Sequence, residues 1–286
     1  MSGTAQGAGE GEIRVTDDLG HEIVLREPAQ RIIALYGAYN EILAGMGLED
    51  RIVARTKADE RPTSIRSKPS IGTHMRPNVE LVLSLKPDLI LQSAGRREAT
   101  AVVEQLRRHG GHVAVFQPNR FAELFDVIER IGRLTGEPRA AGGLIHRLRE
   151  RIDAVEKRLA GISHRPRVFF EVRYPNLLAA GRGSIVNDVI VRAGGVNCLE
   201  SPKKLARVGM ETLIRSAPDA YILQQGPMNP EPSSPASRGS HFWILEAVRE
   251  GRILTVDEQA YSRPGPRSVN AVEELAAFLH PDRFLR

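Results

Sequence analysis

The 286-residue sequence carries a single cysteine, Cys198. It has no partner for an internal disulfide and no companions for a cysteine-rich metal site. Within AGGVNCLE it reads as a small buried residue. No apolar run approaches the ~20 residues of a membrane-spanning helix, so no membrane insertion is expected. Enzyme signals are equally thin. Gly181, Gly183 and Ser184 in GRGSIVND precede a helical stretch and could offer backbone N–H groups to an anion. The Lys-Ser/Thr of a P-loop is missing there, and no dinucleotide fingerprint follows the first strand. There is no Gly-x-Ser-x-Gly elbow, and Asp17-Asp18 is accounted for by a turn. The formal net charge is +5, yet no basic run is interleaved with aromatics, so no nucleic-acid partner is expected. An anionic small ligand or an acidic partner fits the charge. The opening MSGTAQGAGEGE is small and polar and lacks the apolar core of an export signal.

What is present is a long amphipathic stretch near the middle of the chain. In PRAAGGLIHRLRERIDAVEKRLA, residues 138–160, apolar residues fall at Ala141, Leu144, Ile145, Leu148, Ile152, Val155 and Leu159. That is helical spacing on one face, with Pro138 suited to the first turn and Gly161 to the stop. Gly142-Gly143 opposes it by roughly 1 kcal/mol per glycine. The helix would be about 35 Å long. It reads as a strut between two α/β lobes, at 12–137 and 162–286, with 138–161 as linker; the alternative is one long helix inside a single large domain.

On both sides strands alternate with helices, which implies mostly parallel sheets flanked by helices. A hairpin around Asp18-Leu19-Gly20 comes first. Strands follow at 31–36, 51–55, 88–92 and 112–116, with helices at 38–46, 79–85, 98–108 and 121–134. Beyond the strut, strands are expected at 167–172, 219–224 and 252–256, and helices at 184–193, 210–216, near Trp243 and at 269–279. GPMNPEPSSPASRGS, residues 226–240, is a Pro/Ser-rich loop with nothing to hold it as regular structure, expected to run over the surface or over a ligand mouth.

Two stretches echo each other: ELVLSLKPDLILQ from Glu80 and ETLIRSAPDAYILQ from Glu211. In each a glutamate opens an apolar helix and Pro-Asp leads into a buried strand, once on each side of the strut. An acid in a first helical turn is favoured by the helix dipole, and Asn78 is a natural cap. Neither explains the repeat. Together with VTDDLGHEIVLREPAQRIIAL, NEILAGMGLEDRIV, AVREGRILTVDE and LAAFLHPDRF, the echo resembles the substrate-binding proteins of ABC importers for ferric siderophores, haem and cobalamin, over nearly the whole chain after residue 12. The resemblance implies two α/β lobes joined by one long helix, with cargo clamped between them. It also implies that Glu80 and Glu211 dock into arginines of the membrane permease.

In open parallel sheets ligands bind beyond the carboxyl ends of strands. Those positions hold Tyr36, Tyr39, His74, Met75, Arg76, Arg96, Arg97 and Gln117 in the first lobe, and Arg173, Tyr174, Gln225, Trp243 and Arg263 in the second. Arginine forks suit carboxylate, phosphate or catecholate oxygens, and aromatics suit a bulky organic ligand; an anionic metal chelate matches both. His74 could ligate a metal or haem iron, or be a plain surface histidine. No second ligand stands at i, i+4 from it, so no bare-ion site is expected. The reading is therefore a monomeric extracytoplasmic binding protein, not an enzyme and with no required cofactor. It would be periplasmic or held at the cell surface, its signal or lipid anchor lying outside this sequence. The cargo is read as an iron chelate such as a siderophore, with haem, a corrinoid, a metal ion or a metal oxyanion as alternatives. An α/β enzyme on the same fold and a cytosolic metal chaperone are the rivals from other classes.

Overall fold

Apolar runs bounded by amphipathic stretches become strand–helix–strand units in both halves of the chain. The computed structural model describes residues 11–94 and 97–284. Its chain divides into two compact units: one runs to Gln117 and adds Phe125–Ile145, the other takes Pro118–Leu124 and everything from His146.

The first unit begins with the hairpin β1 (Ile13–Thr16) and β2 (Glu22–Leu25), paired antiparallel. Then come β3 (Ile32–Ala34), α1 (Gly37–Gly45), β4 (Ile52–Ala54), α2 (Val79–Ser84), β5 (Leu89–Ser93), α3 (Arg97–Arg108), β6 (Val113–Phe116) and α4 (Phe121–Thr135). The sheet runs β4-β3-β5-β6 with every neighbour parallel. Ile32, Ile33, Ala34, Leu89, Ile90 and Leu91 are fully buried, as strands covered on both faces require. Asp17 does more than close the hairpin turn. Its Oδ1 accepts from the Leu19 and His21 amides, while Oδ2 accepts from Arg107 at 2.7 Å and the Val115 amide at 3.1 Å. The hairpin is thereby tied to α3 and β6.

The second unit holds β7 (Arg167–Arg173), β8 (Leu178–Ala180), α6 (Ile185–Arg192), β9 (Val196–Asn197), β10 (Leu205–Arg207), α7 (Met210–Arg215), β11 (Ala220–Gln225), α8 (Glu246–Arg249), β12 (Ile253–Asp257), α9 (Glu258–Tyr261), α10 (Ser268–Leu279) and α11 (Pro281–Phe284), preceded by α5 (Pro138–Arg158). Its sheet runs β10-β8-β7-β11-β12, with β9 on β7. The pairs β7/β11, β11/β12 and β7/β9 are parallel; β8 and β10 add an antiparallel arm that the sequence pattern does not announce. The helix expected at Trp243 is a 3-10 turn, Ser240–Ile244, and extended Leu245 separates it from α8. Cys198 is buried, and burial pushes its thiol up to about 11, so it stays protonated.

The long helix α5 is continuous from one unit into the other. Its six apolar positions from Ala141 to Val155 are all buried, as is Leu159 just beyond its end. Gly142 differs from Gly132, its neighbour in α4. A Cβ on Gly142 would meet nothing within 4 Å, whereas one on Gly132 would lie 2.5 Å from the Ala141 Cβ. Gly142→Ala should therefore gain up to about 1 kcal/mol from helix propensity alone. Gly132→Ala should lose stability, because forcing the helices apart costs about 1–3 kcal/mol and outweighs the same propensity gain. Urea unfolding of the two variants checks the opposite signs.

Candidate functional site

Beyond the carboxyl end of β3 the chain turns into α1 at Tyr36, an extended residue that stands as the N-cap and keeps its ring half-buried. The His74 ring lies 6.3 Å from it at 72°, an edge contact. His74 is carried on a turn in which the Arg76 amide donates to the Thr73 carbonyl and hydroxyl, both at 3.1 Å. Gln92, buried at the end of β5, donates from Nε2 to the His74 carbonyl at 3.0 Å and ties this turn to the sheet. His74 and Arg76 are exposed and Met75 is half-buried. The structure thus brings Tyr36 and the 74–76 turn together.

Tyr39 is placed differently from an aromatic wall. It is 1% exposed, packs at 5.7 Å from Tyr36 and donates its hydroxyl to the Phe116 carbonyl at 2.7 Å. Burial pushes its phenol well above the ordinary value, so it remains a donor; it supports Tyr36 from within the core. The reason is helical geometry: three residues along α1, its side chain turns toward β6. Arg96 lies outside the described residues, and so does the side chain of Arg97. Gln117 donates its amide to Asp18 Oδ2 at 2.6 Å and serves the hairpin.

In the second unit Arg173 closes β7 and Tyr174 follows, both half-buried. The Tyr174 ring stands edge-on to Phe242 at 6.0 Å and carries the Arg238 guanidinium 4.0 Å above it. Arg238 was not anticipated. It reaches out of the Pro/Ser-rich loop into the unit and pairs in bidentate fashion with Glu171, NH1–Oε2 2.5 Å and NH2–Oε1 2.8 Å, with side chains only 1% and 0% exposed. The Tyr221 hydroxyl donates to the same carboxylate at 2.5 Å. The signal was in the sequence: an acid inside the buried run RVFFEV requires a partner.

The loop carries no regular structure beyond a 3-10 turn, Pro235–Ser237, yet it is held by side chains. Asn229 Nδ2 donates to the Gln224 carbonyl at 3.1 Å, and the Met228 amide to Glu258 Oε2 at 2.7 Å. Burial raises the Glu258 carboxyl above its usual range. Trp243 follows the loop, 48% exposed as a residue, with its Nε1 donating to the Ala236 carbonyl at 3.1 Å. Phe242, next to Trp243, meets both the Tyr174 ring and the Arg238 guanidinium. Arg263 is half-buried after α9, its charge near Glu258, while Gln225 donates to the Pro230 carbonyl at 3.2 Å.

Glu80 and Glu211 are exposed in the first turns of α2 and α7. Asn78 Oδ1 accepts from the Leu81 amide at the start of α2; the start of α7 has Gly209 and no side-chain cap. Glu211 is 85% exposed and pairs with Arg215 one turn on. Among the described residues no group of three or more His, Cys, Asp or Glu is placed to hold a metal ion, and no helix is long and apolar enough to cross a membrane.

The sequence profile of the family described as "Periplasmic binding protein" matches residues 32–260. An uncharacterised ABC transporter substrate-binding lipoprotein of Bacillus subtilis (strain 168) is 26% identical over 277 residues, 95% of this chain and 87% of its relative. The vitamin B12-binding protein of Vibrio cholerae is 26% identical over 259 residues, 88% and 90% of the two chains. Among solved structures, a possible iron-binding (periplasmic solute-binding) protein of Staphylococcus epidermidis superposes with a TM-score of 0.75 at 27% identity, covering 91% of this chain and 100% of that one. With parallel-sheet α/β units, one long helix running from the first into the second, and a profile match over most of its length, the chain belongs to the periplasmic binding protein family.

Proposed function

We propose that the protein captures an anionic iron chelate, siderophore-like, and delivers it to the permease of an ABC importer. It acts outside the cytoplasm, as a monomer and without bond chemistry. The candidate cargo contacts are Tyr36, His74, Met75, Arg76 and Arg96, with Tyr39 behind Tyr36, and in the second unit Arg173, Tyr174, Trp243 and Arg263. Glu80 and Glu211 dock to the permease.

The observation that carries the cargo class is the recurrence, beyond strand ends in both units, of a half-buried ring in the same segment as an arginine: Tyr36 meets His74 edge-on, two residues before Arg76, and Tyr174 directly follows Arg173. Such a set suits a bulky ligand with oxygen-centred charge. Cobalamin is the second reading, favoured by the Vibrio cholerae relative named for vitamin B12.

The arginines give the test. Changing Arg76, Arg96, Arg173 or Arg263 to Ala should each weaken binding of a ferric siderophore by about 1.5–3 kcal/mol, on the order of tenfold to a hundredfold in Kd. Calorimetric titration measures this, and the emission of Trp243 should quench on binding. Normal affinity in all four variants with unchanged Trp243 emission would place the cargo elsewhere.

A further inference from the structure

The two glutamate-bearing helices are anchored by the same atomic device. At the end of α2, Arg31 donates from NH2 to the Leu85 carbonyl at 2.7 Å and from Nε to the carbonyls of Leu85 and Lys86 at 3.3 and 3.2 Å. At the end of α7, Arg167 donates from NH2 and Nε to the Ser216 carbonyl at 2.9 and 3.0 Å. In each unit the arginine also exchanges backbone contacts with the Pro-Asp aspartate. The Arg31 amide donates to Asp88 Oδ2 at 2.8 Å and the Asp88 amide to the Arg31 carbonyl at 2.8 Å. The Arg167 amide donates to Asp219 Oδ2 at 2.7 Å and the Asp219 amide to the Arg167 carbonyl at 2.8 Å. Between helix and aspartate the chain passes through the left-handed region at Lys86 (φ 47°) and Ala217 (φ 39°). Glu80 and Glu211, Leu85 and Ser216, and Asp88 and Asp219 are each 131 positions apart.

Six residues are too few to hold a helix alone. The carbonyls at its end lack intrahelical partners and carry the negative end of the dipole. A guanidinium fork aimed at them supplies donors and charge together, and the aspartate fixes the arginine's own backbone to the strand start. We infer that Arg31 and Arg167 are positioning residues for permease docking: each clamps the carboxyl end of the short helix that bears Glu80 or Glu211 and so fixes where that carboxylate points. The inference rests on the docking reading of the two glutamates.

The test measures affinity of the protein loaded with a ferric siderophore for the purified permease of its own ABC importer in nanodiscs, alongside affinity for that siderophore and melting temperature. Arg31→Ala and Arg167→Ala should each weaken docking roughly threefold to tenfold with cargo affinity unchanged. Arg31→Lys, which keeps charge but not the fork, should recover part of the loss. The double variant Arg31→Ala/Glu80→Ala should dock no worse than Glu80→Ala alone, because the arginine acts only through the glutamate. Additive losses, or intact docking in Arg31→Ala beside weakened docking in Glu80→Ala, would overturn the positioning role and leave the docking reading standing. Intact docking in Glu80→Ala and Glu211→Ala would overturn both.

Discussion

Arg238→Met should cost the protein about 3–5 kcal/mol of folding stability, the loss expected when one partner of a buried ion pair is removed and the other stays behind. Glu171 would keep only the Tyr221 hydroxyl, in a site where its side chain is 0% exposed. Arg238 also donates from NH2 to the Ser233 carbonyl and from Nε to the Ser233 hydroxyl, and lies over Tyr174 and Phe242 at 4.0 and 5.4 Å. Its loss therefore frees the loop as well as stranding the charge. The second half of the experiment separates these effects. Glu171→Leu/Arg238→Met removes both charges and should recover part of the loss, because apolar replacements of a buried pair are often neutral or better, while the Tyr221 hydroxyl stranded without Glu171 and the freed loop keep the rest. Urea unfolding of the single and double variants reads the difference. A single-variant loss below about 1 kcal/mol would mean that water reaches the carboxylate.

The second large effect is on transport. Glu80→Arg and Glu211→Arg should each reduce uptake on the order of a hundredfold, since like charges brought together at an interface cost several kcal/mol. Folding stability should change by at most ~1 kcal/mol. Both side chains are exposed, the helix-dipole contribution is small, and the Glu211–Arg215 pair is solvated. Cargo affinity should also be untouched. A purely helix-capping role for these acids predicts the reverse: lowered melting temperatures with normal uptake. Melting, cargo binding and uptake measured on the same two variants separate the roles.

Much of this architecture was legible in the residues. The periodicity of 138–160 found α5 because a helix packed along one side shows its pattern directly, and burial of that side outweighs the propensity cost of the glycine pair. The parallel strands were legible because fully buried strands are continuous apolar runs. The antiparallel arm was not. LAA and LAR are three residues each and offer no alternation to read. The echo located Glu80 and Glu211, but the guanidinium clamps beneath them join residues more than 48 positions apart and leave no local trace. Tyr39 shows the limit of reading a site by strand ends. Its position after β3 was apparent, but the turn of the helix toward Phe116 was needed to place it in the core. Glu171 was visible as an acid in a buried strand, whereas nothing near Arg238 in a Pro/Ser-rich loop marks it as the partner.

The most direct test of the central claim is calorimetric titration of the purified chain with a ferric siderophore, haem and cobalamin in turn, followed by recovery of the bound compound and its absorption spectrum. Saturable 1:1 binding of one of the three is expected, the ferric siderophore first, with the cargo recovered chemically unchanged. Binding of none of them, or recovery of a chemically altered compound, would contradict it.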